Sequence, residues 1–107
     1  MGVDEQTIRE AVLLLKKAAD PKRIILFGSH ATGRAGEDSD VDFMVIEAAV
    51  PNVIAETVRL RRVLSPLRIP VDIIVVSEDY FNYWADTPGN LMFEAATDGK
   101  VLYDQAA

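Results

Sequence analysis

The chain has 107 residues, of which 17 are acidic and 11 basic, and its formal net charge is -6. Half of the residues are hydrophobic and none is cysteine, so we expect one globular domain over residues 1–107 with no disulfide and no thiolate metal site. No apolar run reaches the roughly 18 residues of a membrane-spanning helix, and the N-terminus lacks the pattern of a secretory signal. These features predict a cytoplasmic protein that does not enter a membrane. The negative charge argues against stable binding to nucleic acid.

Hydrophobic spacing and capping residues predict alternating helices and strands. Such an alternation favours an α/β (α+β) domain with a small mixed sheet and helices packed mainly on one side. Glycine and proline mark the element ends, with Gly99 ending the last helix. The predicted elements are a helix over 4–19, a strand over 23–27, a loop or short helix over 28–38, a strand over 40–46, a helix from Asn52 to before Pro66, a strand over 71–76, helices starting at Ser77 and near Thr87 and Pro88, and a strand over 101–103.

Three aspartates stand at predicted strand positions. Asp40 and Asp42 are two residues apart, so in a strand both carboxylates leave the same face. Two neighbouring carboxylates repel unless a proton or a cation lies between them, and Mg²⁺ prefers oxygen ligands. Asp72 interrupts the apolar run IPVDIIVV, where an unpaired buried charge is costly. The three carboxylates therefore indicate a metal site, although each alone could be a solvated acid.

The segment from Gly28 to Gly36 follows a buried strand and reads GSHATGRAG. Its glycines allow a ligand to approach the backbone, and a helix beginning near Ser29 would offer free N–H groups to phosphate oxygens. Arg34 could add a cation, or could be an ordinary surface residue. Glycines at turns are common, so this segment indicates phosphate binding only together with the aspartates.

Three rival motifs can be compared with these residues. A P-loop needs Gly-Lys followed by Ser or Thr, whereas Arg34 and Ala35 follow Gly33. Asp38, Asp40 and Asp42 match the first ligands of a calcium-binding EF-hand, but the glycine and the glutamate that this loop requires are missing. The run from Gly33 to Gly36 matches the GXXG loop of RNA-binding KH domains, although the acidic charge suits RNA poorly.

Gly28-Ser29, ten residues, then Asp40-Val41-Asp42 and a later strand aspartate, Asp72, together resemble the DNA polymerase β-type nucleotidyltransferase superfamily. The short length, Ser39 before Asp40 and the ending EAATDGKVLYD resemble the minimal nucleotidyltransferases, which often act as antitoxins paired with HEPN ribonuclease toxins. This resemblance implies a polymerase β-like core that transfers a nucleoside monophosphate from a triphosphate. Some such antitoxins transfer AMP from ATP to the toxin, typically onto tyrosine.

The resemblance also assigns roles to residues. Asp40, Asp42 and Asp72 would hold two Mg²⁺ ions and carry the catalysis. Gly28 and Ser29 would bind the triphosphate, with Ser39 and Arg34 as further nucleotide contacts. His30 stands where many relatives carry another polar residue, so its role stays open.

The chain is too short to include a second domain that grips the acceptor, so a HEPN-type toxin or a second copy of the chain would complete the site. Two rival functions remain at this stage. The protein could neutralise a toxin by contact alone, or it could transfer a nucleotide to a small molecule. Labelled AMP on the partner would exclude neutralisation by contact alone. Turnover without any protein acceptor would identify transfer to a small molecule.

Aromatic residues crowd into one segment, and three of them have helical i, i+3, i+4 spacing: Tyr80, Tyr83 and Trp84. Phe81 points to another side of such a helix. We expect the three-residue stripe either to cover the sheet or to form a contact with a partner.

Overall fold

A computed structural model describes residues 3–36 and 39–107. Asp38, which figured in the calcium-loop comparison, lies outside the described residues. No helix in the described ranges is long and apolar enough to cross a bilayer. The elements in chain order are α1 (Glu5–Ala19), β1 (Arg23–Phe27), α2 (Ser29–Thr32), β2 (Val41–Glu47), α3 (Val53–Leu64), a short 3₁₀ turn (Ser65–Leu67), β3 (Val71–Ser77), α4 (Glu78–Trp84), α5 (Leu91–Asp98) and β4 (Lys100–Asp104).

The four strands form one sheet in the order β3-β2-β1-β4. β1 pairs antiparallel with both β2 and β4, whereas β2 and β3 pair in parallel. The parallel pair needs a crossover connection, which α3 supplies between β2 and β3. The predicted small mixed sheet is therefore confirmed.

The two faces of the sheet carry different helices, because side chains alternate along each strand. Ile24 and Leu26 of β1 pack with buried residues of the two longest helices, α1 and α3. Ile25 and Phe27 point the other way and pack with residues of α4 and α5, including Phe81. The longer helices thus share one face, as expected, and the shorter α4 and α5 cover part of the other.

Helix starts follow the capping residues. The Asp4, Asn52 and Ser77 side chains each accept a hydrogen bond from a backbone N–H in the first turn of the following helix. The predicted starts at Asn52 and Ser77 are therefore confirmed.

The start predicted at Thr87 and Pro88 is wrong. These residues form a turn, and α5 begins three residues later with Asn90 as its cap. The side-chain nitrogen of Asn90, Nδ2, also donates to the Thr87 carbonyl at 2.7 Å. Asn90 can cap the helix and close the preceding turn at once, which Thr87 cannot do.

Candidate active site

Asp42 and Asp72 meet at one end of the sheet. They are direct partners in the parallel register of β2 and β3, so their side chains leave the same face. Met44 and Ile46 continue that face towards α4 and α5. Asp40 lies two residues before Asp42, just outside β2. The three predicted aspartates are therefore brought to the same end of the sheet, next to the end of β1.

The turn after β1 packs directly against Asp42. Gly28 has φ +73, a backbone conformation that side-chain-bearing residues rarely adopt, and a Cβ at this position would overlap Asp42 Oδ2. Phe27, the residue before it, pairs with Asp42 across β1 and β2. Glycine is required here because the backbone must pass close to the carboxylate. This contact joins the two parts of the motif that the sequence separates by ten residues.

The Gly28 carbonyl accepts hydrogen bonds from the backbone of the four-residue helix α2, at 3.1 Å from Ala31 N and 3.2 Å from Thr32 N. The first N–H groups of any helix have no partner within it. In α2 these groups belong to Ser29 and its neighbour His30, which follow directly on the glycine that contacts Asp42. The turn thus places the N–H groups that begin α2 directly after the glycine that contacts Asp42, and free N–H groups of this kind suit an anion.

The environment of Asp42 disfavours its charge. Burial raises the pKa of Asp42, and the negative charges of Asp72, Asp40 and Glu94 raise it further. His30 acts in the opposite direction, since a nearby imidazolium stabilises the carboxylate. Added positive charge would therefore stabilise this end of the sheet.

His30 and Ser39 shape the loop between α2 and β2. His30 Nε2 donates to the Ser39 carbonyl at 3.2 Å. The Ser39 hydroxyl accepts from Gly36 N at 2.8 Å. These contacts tie Ser39, the residue before Asp40, to His30 and to Gly36, so the structure gives His30 and Ser39 a role in positioning Asp40.

A cavity of about 400 Å³ opens beside Gly28 and Ser29. Arg34 lines it, which brings the predicted cation next to the turn. Glu94 and Asp98 of α5 form the opposite wall. A larger cavity of about 680 Å³ lies near the other end of β3 and is lined mainly by apolar side chains such as Val53, Ile74 and Leu91. We assign the chemistry to the smaller cavity because Gly28, which lines it, packs against Asp42.

The donor set suits a hard divalent cation, because Asp40, Asp42 and Asp72 offer only oxygens and the burial of Asp42 favours a cation nearby. Among residues 3–36 and 39–107, no three acidic or histidine side chains already surround a metal position. Asp72 is held by Arg61, whose Nη2 donates to Oδ1 at 3.1 Å. The three aspartates therefore offer the type of ligand atom that Mg²⁺ prefers.

Residues 6–96 match the model of the nucleotidyltransferase domain family. This match spans most of the chain and includes the turn and all three aspartates. The chain belongs to the nucleotidyltransferase domain family. This nucleotidyltransferase is 32% identical over 102 residues to the "Putative protein adenylyltransferase MJ0604" of Methanocaldococcus jannaschii, covering 94% of this chain and 98% of that protein.

Solved structures share the fold of this nucleotidyltransferase. A chain from a toxin–antitoxin crystal structure with AMP-PNP superposes with a TM-score of 0.66 at 24% identity, covering 95% of this chain and 74% of that one. A structure of the tri-AMPylated HEPN toxin of Shewanella oneidensis with its MNT antitoxin matches with a TM-score of 0.62 at 21% identity, covering 95% and 73%. These similarities confirm the polymerase β-like nucleotidyltransferase fold.

Two charged residues near the site gave no signal in the sequence. Glu94 acts on Asp42 although it belongs to α5, which lies far along the chain. Arg61 reaches Asp72 from α3. Both look like ordinary exposed residues on amphipathic helices, and only the packing of those helices brings them to the aspartates. Spacing alone cannot assign a helix charge to a site, because it does not show how the helix packs on the sheet.

Proposed function

We propose that this nucleotidyltransferase transfers AMP from ATP to a hydroxyl group of a partner protein, and that the partner is a HEPN-type toxin. The observation that carries the proposal is the close packing of Gly28 against Asp42, with Asp72 paired beside Asp42. It unites a phosphate-binding turn with clustered carboxylates. Such a combination suits transfer of a nucleotidyl group from a triphosphate.

In this proposal the chain itself binds and orients the triphosphate. Ser29 and the first N–H groups of α2 donate to its phosphate oxygens, and Arg34 contributes positive charge from the cavity wall. Ser39 supports the site by holding the loop before Asp40, and it contacts the nucleotide from there. Positioning of this kind lowers the barrier because the reacting groups are already aligned.

Asp40, Asp42 and Asp72 would hold Mg²⁺, two ions in the arrangement we propose. When bound, these ions offset negative charge on the phosphates and on the attacking and leaving oxygens of the displacement. In this proposal Asp72, besides holding metal, also accepts the proton of the acceptor hydroxyl. The reaction joins that hydroxyl oxygen to the α-phosphorus of ATP and releases pyrophosphate.

A protein acceptor is supported by two similarities. The Methanocaldococcus jannaschii relative is named as a protein adenylyltransferase, and solved structures of the same fold come from toxin–antitoxin complexes, one with an AMPylated HEPN toxin. Exposed aromatic side chains on α4 offer a contact surface for such a partner, since Tyr80 and Tyr83 are 51% and 72% exposed. Since ATP is the donor, we place the reaction in the cytoplasm.

The direct test is transfer of label from [α-³²P]ATP. Purified chain, Mg²⁺ and a HEPN-type toxin are incubated, and label on the toxin is measured. We expect labelling that requires both Mg²⁺ and the intact chain, and that is lost in the Asp42→Asn variant. Nuclease inhibition without any label would show instead that binding alone neutralises the partner.

Nucleotide binding can be tested without an acceptor. Mg²⁺ with ATP should raise the thermal midpoint more than either alone, because the triphosphate supplies ligands that the carboxylates leave open. Ser29→Ala should reduce this increase without abolishing it, since the hydroxyl is one donor among several. A midpoint insensitive to millimolar Mg²⁺ and ATP would contradict a nucleotide site.

A further inference from the structure

An ion pair links the candidate metal ligand Asp72 to helix α3. Arg61 Nη2 lies 3.1 Å from Asp72 Oδ1, and the two side chains are 54% and 47% exposed. α3 packs on the face of the sheet opposite to the one from which Asp42 projects. Because β3 is an edge strand, the Arg61 side chain can reach Asp72 past the edge of the sheet.

The position of Arg61 is set by the core. Leu60, the residue before it, and Leu64, one turn later, are 0% and 1% exposed. α3 is also fixed at its start, where the Asn52 side chain accepts from Ala55 N at 3.0 Å. The backbone at Arg61 is therefore anchored, and only its flexible side chain is free to change partners.

The guanidinium and a metal ion would use the same oxygen. A positive charge a few ångströms away opposes a divalent cation at Asp72. An exposed ion pair contributes little free energy, so a ligand with stronger charge can displace it. A nucleoside triphosphate supplies negative charge that offsets the guanidinium and offers it new acceptors.

We propose that Arg61 is a positioning residue that occupies Asp72 until a metal–nucleotide complex arrives. Divalent metal alone then binds weakly, and it binds more tightly when nucleotide is present. This inference rests on the proposed nucleotidyl transfer and adds an order to the loading of the site: nucleotide binding releases Asp72 from Arg61, which completes the carboxylate set.

Arg62 provides the matched control. It is the next residue of the same helix, it is exposed, and it carries the same charge. Within the described residues it forms no ion pair. Arg62→Ala therefore removes one positive charge from α3 without touching Asp72.

The experiment measures the affinity for Mn²⁺ by electron paramagnetic resonance, alone and with α,β-methylene ATP, which resists cleavage between the α and β phosphates. Arg61→Ala and Arg61→Gln should bind Mn²⁺ alone about threefold to fivefold more tightly than wild type, as expected for loss of an exposed pair. Arg61→Lys and Arg62→Ala should stay close to wild type. With the nucleotide analogue, the advantage of the two uncharged variants should shrink.

The outcomes separate this inference from the proposed function. If Arg61→Ala and Arg61→Gln bind Mn²⁺ no more tightly than Arg62→Ala, Arg61 does not compete for Asp72 and the inference is wrong, whereas nucleotidyl transfer by wild type would stand. If wild type binds no Mn²⁺ even with the analogue, the proposed function fails and the inference fails with it. Thermal midpoints of the variants, measured without metal, confirm that each one folds.

Discussion

Asp42 and Asp72 are direct register partners on adjacent parallel strands, and both side chains leave the sheet on the same face. Strands in a sheet are only about 5 Å apart, so these two carboxylates are held as neighbours by the backbone itself. Burial raises the pKa of Asp42, and the Asp72 charge adds to that increase. The fold thus maintains a charge arrangement that a bound cation would stabilise.

Replacing Asp42 by asparagine should reduce transfer by more than about 100-fold, equivalent to about 2.7 kcal/mol of barrier, while leaving the metal-free fold intact. Because the pKa of Asp42 is raised in the folded state, its stabilising contribution is present at low pH and is lost as pH rises through that pKa. Above that pKa the ionised carboxylate opposes folding, so the variant should there be at least as stable as wild type.

Urea unfolding measures the stability of Asp42→Asn, and transfer of label measures its activity. The control is Asp86→Asn in the exposed turn after α4, which removes a carboxylate away from the site and should change neither quantity appreciably. Transfer by Asp42→Asn within tenfold of wild type would contradict the assignment of this carboxylate.

Gly28→Ala should destabilise the protein more than Gly33→Ala does. Both glycines have positive φ, +73 and +77, but Gly28 has ψ -154, a region that glycine alone readily adopts, whereas Gly33 has ψ 14 in the left-handed helical region, so alanine adds the larger backbone cost at Gly28. At Gly33 the added methyl meets open space, whereas at Gly28 it overlaps the Asp42 carboxylate. The difference between the two variants therefore reports the backbone strain at Gly28 and its contact with Asp42 together.

Chemical denaturation gives both free energies of unfolding, and the thermal shift with Mg²⁺ and ATP reports the site. We expect Gly28→Ala to lose most of that shift and Gly33→Ala to keep it. Equal stability and equal ligand response in the two variants would show that the close approach at Gly28 is unimportant.

A second carboxyl cluster, at the far end of β2, should make stability depend on pH. Burial and the neighbouring Glu56 carboxylate raise the pKa of Glu47 to about 8. Glu56 itself is ionised and paired with Arg59, whose Nε lies 2.7 Å from Glu56 Oε1. Glu47 is therefore mostly protonated at neutral pH, next to the charged carboxylate of Glu56.

The direction of this pH dependence follows from the raised pKa of Glu47. Glu47 stabilises the fold fully below its unfolded pKa near 4.5, and this contribution is lost as pH rises through about 8. Glu47→Gln keeps a donor without a titrating group, so its free energy of unfolding should change less between pH 5.5 and 8.5 than that of wild type. Urea titrations at several pH values check this, and parallel pH profiles for the two proteins would rule out a raised pKa at Glu47.

The fold was largely predictable because its elements obey short-range rules. Helix α1 and strand β1 lie where spacing and Pro21 place them. The start of α5 was missed because Thr87 and Asn90 are both good caps, and the choice depends on which one also closes the turn. Local rules do not rank two caps that lie three residues apart.

The site was predictable in its residues but not in its contacts. Asp40 and Asp42 are close together because they are two residues apart at the start of β2, although Asp40 lies just outside that strand. That Asp72 pairs with Asp42, and that Gly28 packs against the same carboxylate, depends on the register of three strands. Sequence spacing does not show that register. The ion pair of Arg61 with Asp72 depends in addition on how α3 packs on the sheet.

The exposed aromatics of α4 should contribute to partner binding without supporting the isolated fold. Tyr83 is 72% exposed, whereas its neighbour Phe81 is 3% exposed and lies in the core with the Arg23 guanidinium 4.8 Å from its ring centre. The predicted division of this helix into two sides is therefore confirmed, although its partner contact remains a prediction. Tyr83→Ala should weaken the complex by about 1–4 kcal/mol and leave the thermal midpoint almost unchanged.

Phe81→Ala is the matched contrast, since loss of a buried phenylalanine costs about 3–5 kcal/mol of folding free energy. Calorimetric titration with the HEPN-type partner gives the affinity, and thermal unfolding of the isolated chain gives the stability. Trp84 is half-buried and its ring centre lies 5.0 Å from that of Tyr83, so removal of Tyr83 uncovers one edge of the indole without opening the core. If Tyr83→Ala binds the partner as tightly as wild type, and Tyr80→Ala does the same, then the partner contacts another face of the domain.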